Sequence, residues 1–507
     1  MKAALIPYTE LERAGDWRPM YHFSPAAVLP KLGADWPKLA ELSCEVLDGW
    51  RFSDNPESDW YLKHVELKDL SEQNPLTGNF EAVKATKAEK EKAEQFRSAI
   101  DNQLFYRMRH IEPMQIALEP QLMAQPAIEQ EPYCIAPNDI LIRRVGSVSA
   151  AYVSQSHRAH PIDANLAIIR GLDSAQAIWL TYCLNQPIYK DFLAQQVGIS
   201  SLIRVGLKQL EQTPVSECPD AFLPLAKQFS RRYQAILQAE EALFNLRQTV
   251  NSYVSHALDE EHQYLNEPDK AQKQGVTAKF FRARDISEQL LFDAAEQAQL
   301  ARELTQKQGF KTLSELAELN PKSSGYDQTQ TYPVVKISHL DGQQSVELPT
   351  ESSNEAGWRT HKRLLQNNDV LVSTFAQDPK VAAVLNVTNA QLQISEQLAV
   401  VKFHHSPGAY ALLMETPLIK KQVAWLATGS IQRFIQPSML NKIVMPEIER
   451  DTANKWHQQL VVLQQAKVKA TAELKSLYKE MHRVYRSVHP DIENTEDLEN
   501  QGGRLHE

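Results

Sequence analysis

"NDILIRRVGS", residues 138–147, is answered 230 residues later by "NDVLVSTFAQ", residues 368–377. Each is an Asn-Asp pair, then a β-branched apolar run, then small and polar residues, which is how a strand entered from a polar turn reads. The same offset, to within two residues, joins "LAIIRGL" (166–172) to "LAVVKFH" (398–404), Pro187 to Pro417, Gly198 to Gly429 and Leu210 to Leu440. An offset held over about 70 positions marks a tandem duplication.

Upstream, "WPKLAEL" (36–42) matches "FKTLSEL" (310–316) at an offset of 274, so the first copy carries about 44 extra residues between these landmarks. The charged segment 79–108 has helix-forming composition, and a solvated helical insert at about 75–125 is expected there. Within each copy, "DILIRRV", "NLAIIRG", "DVLVSTF" and "QLAVVKF" are strand candidates. "SAQAIWLTYCLNQPIYKDFLAQQ" and "GAYALLMETPLIKKQVAWLA" read as helix, each split in two at its matched proline, because proline opens a helix and breaks its interior.

A long helix follows each copy. In the first, Ile236, Ala239, Leu243, Leu246, Val250, Tyr253 and Ala257 are spaced alternately three and four apart, the seam of a coiled coil. In the second the series is Leu460, Leu463, Lys467, Ala470, Leu474, Leu477, Met481 and Val484, and an offset of 231 maps one seam on the other. Lys467 there has two readings, a residue that fixes register and one that extends its charge to solvent. These helices are each other's natural partner, and roughly 30 helical residues span about 45 Å. The expected fold is α+β, or mixed α/β: two tandem globular domains separated by two long antiparallel coiled-coil helices, with pseudo-two-fold symmetry. The boundaries are 1–223 (first domain), 224–260 (first helix), 261–450 (second domain), 451–487 (second helix) and 488–507, an acidic tail of disordered composition.

The totals agree with a multidomain globular chain. Its 507 residues exceed what a single core serves, and a hydrophobic share of 43% with a charged share of 23% is near the soluble average. No stretch approaches the roughly 20 apolar residues of a membrane helix, and the start lacks a signal-like apolar region, so a cytoplasmic protein without membrane contact is expected. Cys44, Cys134, Cys183 and Cys218 stand far apart with no ligand spacing, so free thiols and no metal are expected. A net charge of -9 argues against indiscriminate coating of nucleic acid, while leaving room for a local basic cleft.

The order domain, helix, domain, helix resembles the specificity (S) subunits of type I restriction-modification systems, over about residues 12–486. The resemblance is carried by "NDILIRRVGS" and "NDVLVSTFAQDPKVAAV", by "LAIIRG" and "LAVVKF", and by "GISSLIRVGLKQL" and "GSIQRFIQPSML" ahead of each helix. It implies that each globular domain is a target-recognition domain reading one half of a split site on double-stranded DNA. It also implies that the helices set the separation of the halves and dock adenine-specific DNA methyltransferase subunits, with translocase-nuclease subunits where present. No cofactor is implied for this chain. The enlarged first copy and the acidic tail depart from the pattern, and a related defence system with another effector fits the same residues.

Candidate DNA contacts follow from the strand ends. Arg143, Arg144, Ser147 and Ser149 close the first duplicated strand, and arginine forks and hydroxyls suit guanine edges and phosphates. If the strand alternates, only one of Arg143 and Arg144 faces outward. Ser373, Thr374, Gln377, Asp378 and Lys380 occupy the equivalent stretch, and their difference is what two readers of different half-sites require. Arg204, Lys208, Lys336, His339, Lys362, Arg363 and Arg433 are candidates for phosphate contacts. Against each stands the plain alternative of a solvated polar face. Gly198 and Gly429 read as positive-φ helix ends.

"NQPIY" (185–189) is similar to the Asn-Pro-Pro-Tyr motif of adenine methyltransferases, but Gln186 replaces the first proline and the duplicate "METPL" keeps only Pro417, as a helix boundary would. No glycine-rich cofactor turn, Walker A sequence, H-E-x-x-H or nuclease constellation is found, so no catalytic residue is assigned. The leading expectation is a non-catalytic DNA-recognition subunit. A protein-binding coiled-coil adaptor and a diverged nuclease or modification enzyme are the alternatives.

Overall fold

The computed structural model describes residues 36–42, 44–49, 71–73, 80–82, 100–117, 121–126, 133–195, 204–258, 303–322, 325–327, 329–349, 359–375, 379–385, 391–428 and 433–489. The chain forms two compact units, Met1–Leu237 with Thr471–Glu507, and Gln238–Ala470. The expected boundaries give each long helix a segment of its own. Each compact unit instead takes part of both helices.

In the first unit, β1 (Glu45–Asp48), β2 (Ile140–Arg143), β3 (Ser149–Tyr152) and β4 (Leu166–Arg170) form one antiparallel sheet in the order β1-β4-β2-β3. The runs in β2 and β4 are continuously apolar because both sheet faces are covered. Leu141, Leu166 and Ile168 enter a core with Tyr106, Ile111, Ile116 and Ile162. Helix α1 (Ser174–Leu184) is capped by Asp173, which accepts from the Ala175 and Gln176 amides, and α2 (Pro187–Gln195) begins at the proline. Every residue of α1 from Ala177 to Leu184 is buried.

The second unit repeats this plan. Strands β5 (Ala317–Leu319), β8 (Val370–Ser373), β9 (Val381–Ala383) and β11 (Leu398–Phe403) are ordered β5-β11-β8-β9, all antiparallel. A second sheet of β6 (Val334–Val335), β7 (Thr360–Leu364) and β10 (Gln393–Ser395) has the order β6-β10-β7. Strand alternation divides the apolar residues between two cores. Val370, Val372, Ala399 and Val401 face the helices, whereas Leu371, Leu398 and Val400 face the core that holds Val335 and Ile394 of the second sheet. Helices α4 (Pro407–Met414) and α5 (Pro417–Leu426) break at Pro417 as α1 and α2 do at Pro187.

The two long helices are α3 (Leu223–Ala257) and α6 (Arg450–Val488). In the first unit Phe229 meets Tyr478 and Arg232 pairs with Glu473, and in the second Glu240 pairs with Lys467 and Tyr253 meets Trp456. In each unit the numbers rise on one helix as they fall on the other, which is antiparallel packing. Of the expected seam, Ile236, Leu243, Leu246, Val250, Leu460, Leu474, Leu477 and Met481 are buried and Leu463 is half-buried. Lys467 does not reach out to solvent. Its Nζ lies 3.2 Å from Glu240 and 3.0 Å from Asp341, and it donates to Gln343 Oε1.

The repeated Asn-Asp is a backbone device. Asn138 and Asn368 have φ of 72° and 70°, a left-handed conformation in which asparagine is enriched. Their amides donate to Val153 O and Val384 O. The following aspartate closes the turn, since Asp139 accepts from the Ala136 amide at 2.7 Å and Asp369 from the Gln366 amide at 2.8 Å. Each carboxylate also binds an arginine, Arg170 at 2.7 Å and Arg363 at 2.6 Å. Because the Asn368 side chain is exposed, Asn368→Gly should leave stability unchanged within about 0.5 kcal/mol and Asn368→Val should cost about 1–2 kcal/mol. Urea unfolding midpoints check this, and equal values for the two variants would contradict the turn assignment.

The expected helical insert is corrected in part. Described stretches of it are strands, Phe80–Ala82 pairing with Ser71–Gln73 and Ile100–Phe105 with Gln121–Pro126, and the helical residues described within it are the single short turn Met108–His110. Residues 83–99 lie outside the described residues. So do Gly198, Gly429, Gln377, Asp378 and the tail from 490 onward.

Candidate nucleic-acid interface

The end of each first duplicated strand is tied to the segment that precedes the long helix. In the first unit Val145 bridges Arg204, and the Val205 amide donates to Arg144 O at 2.9 Å. In the second, Phe375 bridges Phe434, and the Ile435 amide donates to Thr374 O at 2.9 Å. The two arrangements superpose in sequence at an offset of 230, so Arg204 is equivalent to Phe434, one position from the expected Arg433.

These ties gather a different set of exposed groups in each unit. In the first they are Ser147, on a β2–β3 hairpin turned by Gly146 at φ 73°, with Arg204 and Lys208. Arg143 lies half-buried along the hairpin, its Nε donating to Val145 O at 3.2 Å. In the second they are Arg433 and Phe434, the latter 37% exposed and packed on Phe375 with ring centroids 4.5 Å apart. Lys362 is exposed on β7.

Several expected contacts are structural instead. Arg144 is buried, with Nη1 2.7 Å from Asp48, because strand alternation turns it inward while Arg143 turns outward. Arg363 is buried against Asp369. Ser149 is buried beside Asn185, and Ser373 and Thr374 are buried with backbone partners, Ser373 Oγ accepting from the Phe375 amide and Thr374 Oγ1 donating to Gln397 O. Lys380 Nζ donates to Leu340 O at 2.9 Å, and Lys336 and His339 are half-buried.

A second duplicated feature is absent from the sequence reading. "RMRHIE" (107–112) and "KISHLD" (336–341) are the same turn at an offset of 229. The Arg107 amide donates to His110 Nδ1 at 2.8 Å and the Lys336 amide to His339 Nδ1 at 3.0 Å. Each turn leads to a positive-φ residue, Met114 and Gln344, that bridges the sheet edge at Ala151 and Ala382. The extra residues of the first copy therefore lie upstream of Arg107. A long helix clamps each turn within its unit. Tyr233 Oη accepts from the Ile116 amide at 2.7 Å, and Gln464 Nε2 donates to Gln344 O and, at 3.1 Å, to Ala383 O.

Among the described residues no group of three or more His, Cys, Asp and Glu is placed to hold a metal ion, and no helix is long and apolar enough to cross a membrane. None of the four cysteines is in a disulfide, and burial holds the Cys183 thiol well above its ordinary range.

No protein-family model matches the chain, and neither does any curated protein. Solved structures similar to it include three, each matched over 78% of this chain's length. The type I restriction-modification S subunit from M. genitalium is covered over 94% of its chain at 10% identity and a TM-score of 0.35. A chain from a structure of the assembly and conformational transition of a type I restriction-modification system is covered over 91% at 13% identity and a TM-score of 0.23. The HsdS subunit from Thermoanaerobacter tengcongensis is covered over 91% at 13% identity and a TM-score of 0.21.

Proposed function

We propose that this chain is a non-catalytic DNA-recognition subunit that reads a bipartite duplex target, one half with each unit, and positions adenine methyltransferase chains of a type I restriction-modification or related defence system. The observation that carries the reading is a conserved scaffold with divergent tips. Both units keep the same four-stranded order, the same left-handed asparagine turn, the same histidine-capped turn and the same tie across the strand end. The exposed groups on that tie differ, Ser147, Arg204 and Lys208 against Arg433 and Phe434. Two readers of one ligand class with unlike sequence preferences need this division, since phosphate contacts position a protein and base contacts specify.

With a net charge of -9, the chain alone is expected to bind DNA weakly, with much of the positive surface coming from partner chains. The test is co-expression with the chains encoded beside it, followed by mapping of modified adenines across the host DNA. A motif in two blocks is expected, and exchanging residues 310–450 for those of another such chain should change one block and leave the other intact. An unsplit motif, or modification that does not depend on this chain, would refute the reading.

A further inference from the structure

We propose that Lys467, Gln464 and Arg247 are positioning residues that make the spacing between the two target blocks strict, by locking the globular part of the second unit to its own stretch of α3 and α6. The inference rests on the DNA-recognition reading and adds to it a determinant of spacing that touches no DNA. Every contact involved lies within the second unit.

The residues that follow the histidine-capped turn, Asp341 to Gln344, are gripped from both helices. From α3, Arg247 Nη2 donates to Gly342 O at 2.9 Å, while its Nε lies 2.8 Å from Glu415, the residue that caps the end of α4. From α6, Gln464 Nε2 donates to Gln344 O and, at 3.1 Å, to Ala383 O of β9. One turn further along α6, Lys467 Nζ binds Asp341 at 3.0 Å and Gln343 Oε1, and reaches Glu240 of α3 at 3.2 Å. A single ammonium group thus joins both helices to the globular part.

These groups are largely removed from water. Gln344 and Gln464 are buried, and burial pushes the Glu415 carboxyl above its ordinary range against the pull of Arg247. Buried polar and ionic pairs add little net stability, since desolvation offsets their attraction. They do demand one geometry, because hydrogen bonds weaken steeply when bent or stretched. A polar residue at a seam position fixes register in the same way, at a cost in stability.

The same helix positions hold the first unit with other chemistry. At an offset of 231, Gln464 matches Tyr233 and Arg247 matches Tyr478. The Tyr233 hydroxyl binds Ile116, and the Tyr478 hydroxyl accepts from Gln115 Nε2 at 3.3 Å, where Gln115 matches Gln344 at an offset of 229. Lys467 matches Ile236, which is buried. Neutral hydroxyls and apolar contact therefore seat the first unit, and charged groups seat the second. Packing alone does not require that difference.

A shift of one base pair moves a target block by about 3.4 Å along the duplex and turns it by about 36°. A globular part held by apolar contact can follow some of that shift by pivoting on its helices. One held by directional bonds to both helices cannot.

The test uses the full chain co-expressed with its partner chains, on plasmids carrying the mapped motif with its spacer at the natural length and at one base pair shorter and longer. Adenine modification is quantified at each spacing, and the wild type should strongly favour the natural one. For Gln464→Leu/Lys467→Met that preference should fall by roughly tenfold, with the sequences of both blocks unchanged. Lys467→Arg retains the charge and should retain the preference. If the double variant fails to fold, Lys467→Met alone, which spares the bonds to Gln344 O and Ala383 O, decides the matter in the same way. An unchanged preference in a variant that melts like the wild type, or modification lost equally at all three spacings, would overturn the inference and leave the DNA reading standing. So would a Lys467→Arg chain that behaves like the methionine variant. A wild-type chain that gives an unsplit motif would remove the DNA reading and the inference with it.

Discussion

Asp369→Asn is expected to destabilise the second unit by about 3–5 kcal/mol, and adding Arg363→Met should recover most of that loss. The two side chains are 0% and 3% exposed and meet at 2.6 Å. Asparagine keeps an oxygen for the Gln366 amide, so the turn stays closed, but the guanidinium is left buried with no counter-charge. It cannot discharge itself, since arginine stays protonated. The pair itself is not a strong stabiliser. Burial pushes the Asp369 carboxyl above its usual range despite the Arg363 guanidinium, and Asp369 Oδ1 and Arg363 Nη1 have no partner. A carboxyl whose folded pKa is raised costs stability as it ionises, so a neutral replacement of both partners loses little. Arg363→Met alone should cost less than Asp369→Asn, because the stranded carboxyl can take up a proton.

The first unit supplies the contrast. Arg170 grips Asp139 with two bonds, Nε to Oδ1 at 3.0 Å and Nη2 to Oδ2 at 2.7 Å, but is itself 29% exposed, so water compensates when the carboxylate is removed. Asp139→Asn should therefore cost clearly less than Asp369→Asn. Urea unfolding, with hydrogen exchange at Val370–Ser373 to localise the transition, reads both. Equal losses for the Asp369 single and double variants would contradict the argument.

The scaffold was legible wherever local chemistry and burial agree. β-Branched runs bounded by polar residues located β2, β4, β8 and β11, and the prolines at 187 and 417 placed two helix breaks, because a missing amide acts whatever the surroundings. The site was less legible. Whether Arg144 or Arg363 faces solvent depends on a partner far away in sequence, Asp48 for the one, and on an aspartate six residues ahead that a second sheet encloses for the other. Charge suggested contact, and packing turned both inward. The histidine-capped turn was readable as R-x-x-H-I-E against K-x-x-H-L-D, but the charged run upstream suggested helix across it. Strand pairing of Ile100–Phe105 with Gln121–Pro126 prevailed there, a long-range choice that local propensity does not decide.

Acid should open the first unit before the second. His489 is 3% exposed among the rings of Trp36, Trp179 and Tyr485, with centroids at 4.8, 6.1 and 4.5 Å, and burial holds its pKa at about 4. His110 is held at about 4 as well, and burial also lowers His157 and His160 in the same unit. In the second unit burial lowers His457. For a base whose folded pKa lies below its unfolded value, the unfolded chain takes the proton first. Stability is then full above pH 6.5 and falls as the pH drops toward 4. Hydrogen exchange, corrected for the intrinsic rate, should show Ile140–Arg143 and Leu166–Arg170 losing protection near pH 5 while Val370–Ser373 and Leu398–Phe403 keep theirs. His489→Phe tests the cause, because the aromatic packing is retained and what is lost is a long 3.5 Å contact between Nε2 and Ser216 Oγ, Nδ1 having no partner. That variant should shift the first unit's acid transition to lower pH, and an unshifted transition would place the proton uptake on other groups.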